Sequence, residues 1–102
     1  MKKEEIQDLI KNGENQEVEF KEGCPAHHEI SQIICAFANT DGGYFIMGVS
    51  KKGYIKGLSC NIDALQQTIS NANQEIHSRP IISTKIIEFD SKKIAVVKIE
   101  RA

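Results

Sequence analysis

The stretch Cys35-Ala36-Phe37-Ala38-Asn39-Thr40-Asp41-Gly42-Gly43-Tyr44-Phe45-Ile46-Met47-Gly48-Val49 constrains the fold more than any other part of this chain. It predicts the last turn of a helix, a sharp turn on two glycines and a buried strand ending at Gly48. Asn39 and Thr40 suit a fraying helix end, and Gly42 or Gly43 can take the positive-φ geometry that terminates it. Tyr44 to Met47 is an aromatic and branched run bounded by glycines, which fits a strand covered on both faces.

The rest of the chain extends this pattern in both directions. Lys3 to Lys11 places Ile6, Leu9 and Ile10 on one side of a short helix closed by Asn12-Gly13. Glu17 to Lys21 alternates polar and apolar, so it predicts a half-buried strand with Val18 and Phe20 inward and Glu17, Glu19 and Lys21 outward. Ile30, Ile33, Ile34 and Phe37 fall at helical spacing between about Ala26 and Thr40. After Val49, a turn at Ser50 to Gly53 leads to an expected short strand at Tyr54 to Gly57. Ile62, Leu65, Ile69, Ala72 and Ile76 form the stripe of a third helix from Ile62 to about His77, with Asn61 or Asp63 as its cap. Ile81 to Phe89 and Lys93 to Glu100 predict a hairpin joined by Asp90-Ser91-Lys92-Lys93, with Ala95, Val97 and Ile99 facing inward. The expected class is α+β: a two-layer domain with a mixed sheet of about five strands on two or three helices, these largely on one face.

Composition bounds the function classes. A chain of 102 residues has room for one core. No apolar run approaches the ~20 residues of a membrane span, and the N-terminus lacks the apolar region of a signal peptide. The expectation is a cytoplasmic protein with no membrane partner. The net charge of −1 lacks the basic excess common in nucleic-acid-binding domains. A local basic face would have to come from Lys51, Lys52 and Lys56, or from Lys92 and Lys93. The three cysteines, Cys24, Cys35 and Cys60, are widely spaced and do not suggest a disulfide framework. Cys24, His27 and His28 lie close together, but a zinc site needs a second close pair that the sequence does not show. Gly42-Gly43 follows a helix rather than preceding one, so it offers no phosphate-cradling loop.

The order helix, Asn-Thr-Asp-Gly-Gly, apolar strand, Gly-Val resembles the Schlafen AlbA-type domain. That family comprises DNA-binding modules at the N-terminus of many prokaryotic transcriptional regulators, and it also occurs in Schlafen proteins. Glu14-Asn15-Gln16-Glu17-Val18-Glu19-Phe20-Lys21 is similar to the family's opening acidic segment, and Val49 to Gly57 to its following hairpin. The resemblance runs from Glu14 to roughly Pro80 and less clearly beyond. It implies one domain over residues 1–102, the N-terminal module of a longer protein with a C-terminal domain still to come. A full-length gene that stops at Ala102 would refute that expectation.

Candidate sites come from the residues themselves and, for two acids, from this resemblance. The leading expectation is a non-enzymatic DNA-binding module of a transcriptional regulator. Its phosphate contacts would come from Lys51 and Lys52 at a hairpin tip, with Lys21 and Lys56 on adjacent strands. Tyr54 would offer a stacking surface. No cofactor or metal is expected in that reading, and a homodimer is the commonest state of such regulators. The alternative is a metal-dependent ribonuclease-like domain. Glu14 and Glu19 match two acids that serve ribonuclease-active Schlafen proteins, where Mg²⁺ or Mn²⁺ would activate water. The third acid of that set falls on Lys51 here, which puts an ammonium where a cation should sit. A third reading is a protein interaction or dimerisation module.

Overall fold

Apolar residues on both faces of the sheet decide the architecture. The computed structural model describes residues 1–102 as α1 (Lys3–Asn12), β1 (Val18–Lys21), α2 (His27–Ala38), β2 (Gly43–Met47), α3 (Ile62–Gln74), β3 (Ile82–Phe89) and β4 (Lys92–Ile99). The four strands form one mixed sheet in the order β1-β2-β4-β3. β1 runs parallel to β2, with α2 as the crossover, while β4 is antiparallel to both β2 and β3. The α+β class is as expected.

α2 and α3 share one face of the sheet. Ile30, Ile34 and Phe37 of α2 and Leu65, Ile69 and Ala72 of α3 pack on Phe45, Met47, Ala95, Val97 and Ile99. α1 closes the opposite face, where Ile6 and Ile10 meet Val18, Phe20, Ile46, Ile87, Phe89, Ile94 and Val96. Central strand β4 is consequently apolar on both sides, and Ile94 to Val97 are fully buried. The helix ends follow local chemistry. Glu4 and Glu5 lie in the first turn of α1 and Lys11 in its last, each suited to the helix dipole. The Asn61 side chain accepts the Ala64 N–H at 2.9 Å and caps α3.

Two local expectations change. Tyr54 to Gly57 is not a strand; its only ladder contact is a single bridge between Val49 and Ile55. Both the Lys56 and Gly57 N–H groups turn to the Gly48 carbonyl, at 2.8 and 3.0 Å, so the segment folds back on one point instead of running along a neighbour. The sheet has four strands, close to the expected number. The β3–β4 connection is also tighter than expected. Asp90 and Ser91 alone form it, at φ 48° and 69°, the positive pair of a two-residue hairpin turn, and Lys92 and Lys93 enter the ladder.

The α2–β2 junction depends on close approach. A Cβ on Gly43 would lie 2.5 Å from the Glu17 carbonyl oxygen and 2.7 Å from the Phe37 ring. Gly42, at φ 79°, would meet the Ile99 carbonyl at 2.5 Å. A further link departs from the expectation drawn from cysteine spacing. Cys24 and Cys60 are joined as a disulfide with their Cα atoms 6.4 Å apart, tying the segment after β1 to the one before α3. Cys35 remains free. No helix is long and apolar enough to cross a membrane.

Candidate functional site

The outer edge of β1 brings two of the candidate residues together. Glu17 and Lys21 direct their carbonyls to β2, accepting from the Tyr44 and Gly48 N–H groups at 2.8 and 2.7 Å. By alternation, the backbone groups of Val18 and Phe20 face away from the sheet. Neither residue is left open. Asn15 exchanges both backbone bonds with Val18, at 3.1 and 3.3 Å. At Phe20 the partners are side chains: the N–H donates to Glu14 Oε2 at 2.8 Å, and the carbonyl accepts from Lys51 Nζ at 2.8 Å. Lys51 Nζ also donates to Glu14 Oε2 at 2.9 Å. A carboxylate and an ammonium thus satisfy the backbone groups that a neighbouring strand would otherwise take.

Electrostatics agree with this geometry. Partial burial pushes the Glu14 carboxyl up, but the Phe20 N–H and the Lys51 ammonium together outweigh it and hold the group below its ordinary range. Lys21, at the end of the same strand, is raised by its hydrogen bond and ion pair with Glu29 of α2.

Glu19 projects elsewhere. It lines a groove of about 390 Å³ with Gln32, Ile33 and Phe37, on the α2 face of the sheet. Glu14 belongs to the strand edge, and its Oε2 already serves Phe20 and Lys51. No three His, Cys, Asp or Glu side chains converge as a set that could hold a metal ion. These residues do not fit Mg²⁺ or Mn²⁺. The zinc candidates are likewise committed, since Cys24 is bonded to Cys60 and His27 Nε2 lies 2.6 Å from Glu75.

The remaining lysines gather at the far end of the sheet. Ser50 and Tyr54 close a turn on each other, at 2.9 Å between backbones and 3.1 Å through the Ser50 hydroxyl. Lys52, Tyr54 and Lys56 project from this loop into solvent, and Tyr54 is 65% exposed. The β3–β4 turn comes alongside. The Leu58 N–H donates to the Lys93 carbonyl at 2.8 Å, and a Cβ on Gly57 would lie 3.1 Å from Lys92 Cβ. Lys52, Lys56, Lys92 and Lys93 thus share one end of the molecule. None takes part in its three ion pairs.

Sequence spacing missed the approach of Lys92 and Lys93 to the 51–57 loop, because only the return of β4 creates it. At the opposite end Asn15, Gln16, Glu17, Thr40 and Asp41 line the crevices. Cations are present there too: the Lys98 ammonium lies over the Tyr44 ring, and Arg101 follows the strand end beside Gly42.

Comparison with known proteins places the chain in a family and its fold among solved structures. The chain belongs to the family described as Schlafen, AlbA_2, which matches residues 14–102. Its fold is similar to the solution structure of the N-terminal domain of a RecG-related protein from Nitrosomonas europaea. That match has a TM-score of 0.73 and 20% identity, and it covers 96% of this chain and 72% of that one. A crystal structure of a Corynebacterium diphtheriae protein matches with a TM-score of 0.58 and 20% identity. There the match covers 95% of this chain but only 21% of that one, so the chain spans a small part of that protein.

Proposed function

We propose that this domain is a non-enzymatic nucleic-acid-binding module, with duplex DNA as its ligand and transcriptional regulation as its setting. The observation that carries the reading is the group of Lys52, Lys56, Lys92 and Lys93, four exposed cations at one end of the sheet that lie outside the three ion pairs, with Glu88 opposite Lys93 across the β3–β4 ladder. Ammonium groups so placed neutralise phosphates and release counterions, which gives affinity without reading sequence. Tyr54, exposed among them, offers a ring to a sugar or an unstacked base. Lys51 and Lys21 have structural partners and support this surface rather than form it. Family membership supports the reading at the level of a nucleic-acid-related module. A hydrolytic role finds less support, because Lys51 occupies the carboxylate of Glu14.

Fluorescence anisotropy of a labelled duplex, at low and moderate salt, tests the proposal. Saturable binding that falls steeply with salt is expected. Lys52→Glu combined with Lys92→Glu should weaken it at least tenfold and flatten its salt dependence by about one to two phosphate contacts. No binding at low salt would overturn the reading.

A further inference from the structure

The sheet has two outer strands, and only one has its backbone satisfied. On β3, the Ile81 carbonyl accepts from the Glu100 N–H at 3.0 Å, which fixes the odd-numbered residues as those facing β4. The N–H and C=O groups of Ile82, Thr84, Ile86 and Glu88 therefore point outward, by the alternation of an antiparallel ladder. Within residues 1–102 no loop, helix or side chain hydrogen-bonds to them as Asn15, Glu14 and Lys51 do to β1. β3 is also eight residues long, and its sequence Ile-Ser-Thr-Lys-Ile-Ile-Glu-Phe is rich in strand-forming side chains. An edge of this kind is a template for another strand.

We propose that β3 is a homodimer interface, in which two copies pair antiparallel about a twofold axis at Thr84. Three arguments select a second copy and this register. First, the stretch is self-complementary there. Thr84 faces Thr84, Ile82 faces Ile86, Ser83 faces Lys85, and Ile81, which is 66% exposed in the single chain, faces Ile87. Ile82, Thr84 and Ile86 each gain a hydrogen-bonded partner.

Second, charge disfavours the register one residue on, and an axis one residue back, at Ser83, would set exposed Ile81 against Lys85 instead of Ile87. An axis at Lys85 would set two lysines directly opposite each other. An axis at Ile86 would oppose Lys85 to Ile87 and leave Ile81 uncovered. With the axis at Thr84, no like charges stand opposite, and the Arg79–Pro80 lead-in of one copy approaches Glu88 of the other. The Lys85 ammonium is in any case occupied, donating to the Met1 carbonyl at 2.7 Å.

Third, the assembly closes. Because the β1 edge is sealed, pairing through β3 joins two four-stranded sheets into one continuous sheet with no open edge. A sheet open on both sides would propagate instead.

Sedimentation velocity of the 102-residue chain from about 10 μM to about 1 mM reads the association directly. A monomer–dimer equilibrium is expected. Thr84→Glu and Thr84→Lys should each weaken self-association at least tenfold through like charges at the axis, and an equimolar mixture of the two should restore the dimer. A wild-type chain that stays monomeric at about 1 mM overturns the proposal. So do charge variants that dimerise like wild type. A mixture that stays monomeric while wild type dimerises overturns the axis at Thr84. If either variant is unfolded by circular dichroism, amide exchange in wild type replaces it. The Thr84 and Ile86 amides should slow as concentration rises, and no change would overturn the proposal.

Discussion

β1 and β3 are both outer strands of one sheet, yet they solve the same problem in opposite ways. A strand edge presents N–H and C=O groups that must find partners in water, in protein or in another chain. β1 is four residues long and takes its partners from within: the Asn15 backbone at Val18, and the Glu14–Lys51 ion pair at Phe20. β3 is eight residues long and leaves its outward groups to solvent or to a second copy. An edge can thus be closed by charged side chains, provided that the loop carrying them is held in place. Here the 48–60 segment is that loop, anchored at Gly48 beside the end of β1 and at Cys60 through the bond to Cys24.

The largest effect should come from removing that anchor. Cys24 and Cys60 are 36 residues apart in sequence, so their bond closes a long loop and restricts the unfolded chain. Its loss should cost about 2–4 kcal/mol. Denaturant midpoints measured with and without reductant, and for Cys24→Ser with Cys60→Ser, would show it. The comparison of edges adds a finer expectation. Reduction should loosen the Phe20 amide, which depends on this loop for Lys51, and leave the β3–β4 ladder unchanged. Equal loosening of both edges by amide exchange would show that the disulfide stabilises the whole fold without supporting the seal.

Next in size is the seal itself. Glu14→Ala removes the acceptor of the Phe20 N–H and the counter-ion of Lys51, at a cost of about 1–3 kcal/mol. Thr84→Ala at the β3 edge takes no hydrogen-bond partner away from the backbone and should change monomer stability by no more than about 0.5 kcal/mol. Amide exchange gives the same contrast residue by residue. Val18 and Phe20 should be protected, while Thr84 and Ile86 should exchange readily in dilute solution. Protection of Thr84 equal to that of Phe20 in a dilute monomer would break the comparison.

Much of this architecture is legible in the chain, and the exceptions have physical causes. The alternation of Val18 and Phe20 places β1 and its inward face, and the spacing of Leu65, Ile69 and Ala72 places α3. Ala95, Val97 and Ile99 read as the inner face of β4, and they do meet α2 and α3. The burial of Ile94 and Val96 on the other face does not follow from that pattern. A period of two identifies faces but not what covers each one, and α1 covers this face.

The candidate site is legible only in part. Glu14 and Lys51 can each be named from the sequence, but as members of rival sites, a metal centre and a phosphate contact. Their hydrogen bond spans 37 residues and depends on the loop after β2 curling round the end of β1. The pairing of Cys24 with Cys60 has the same origin, because each lies in a loop without periodicity.

The smallest effect isolates the charge in the seal. Glu14→Gln keeps a side chain able to accept from Phe20 and removes the attraction to Lys51. Lys51 is 63% exposed, so at neutral pH the ion pair is worth no more than about 1 kcal/mol. The pH dependence makes this difference measurable. The Glu14 carboxyl is held below its ordinary value of 4.5, so above pH 4.5 the folded state gains from the ionised group. As pH falls below 4.5, the unfolded chain takes up the proton first, and the gain disappears as pH passes through the lower folded-state value. Wild type and Glu14→Gln should therefore differ at about pH 6 to 7 and converge as the pH falls below 4.5 and through the lower folded-state value. Parallel stability curves over that range would mean that the hydrogen bonds, not the charge, close the β1 edge.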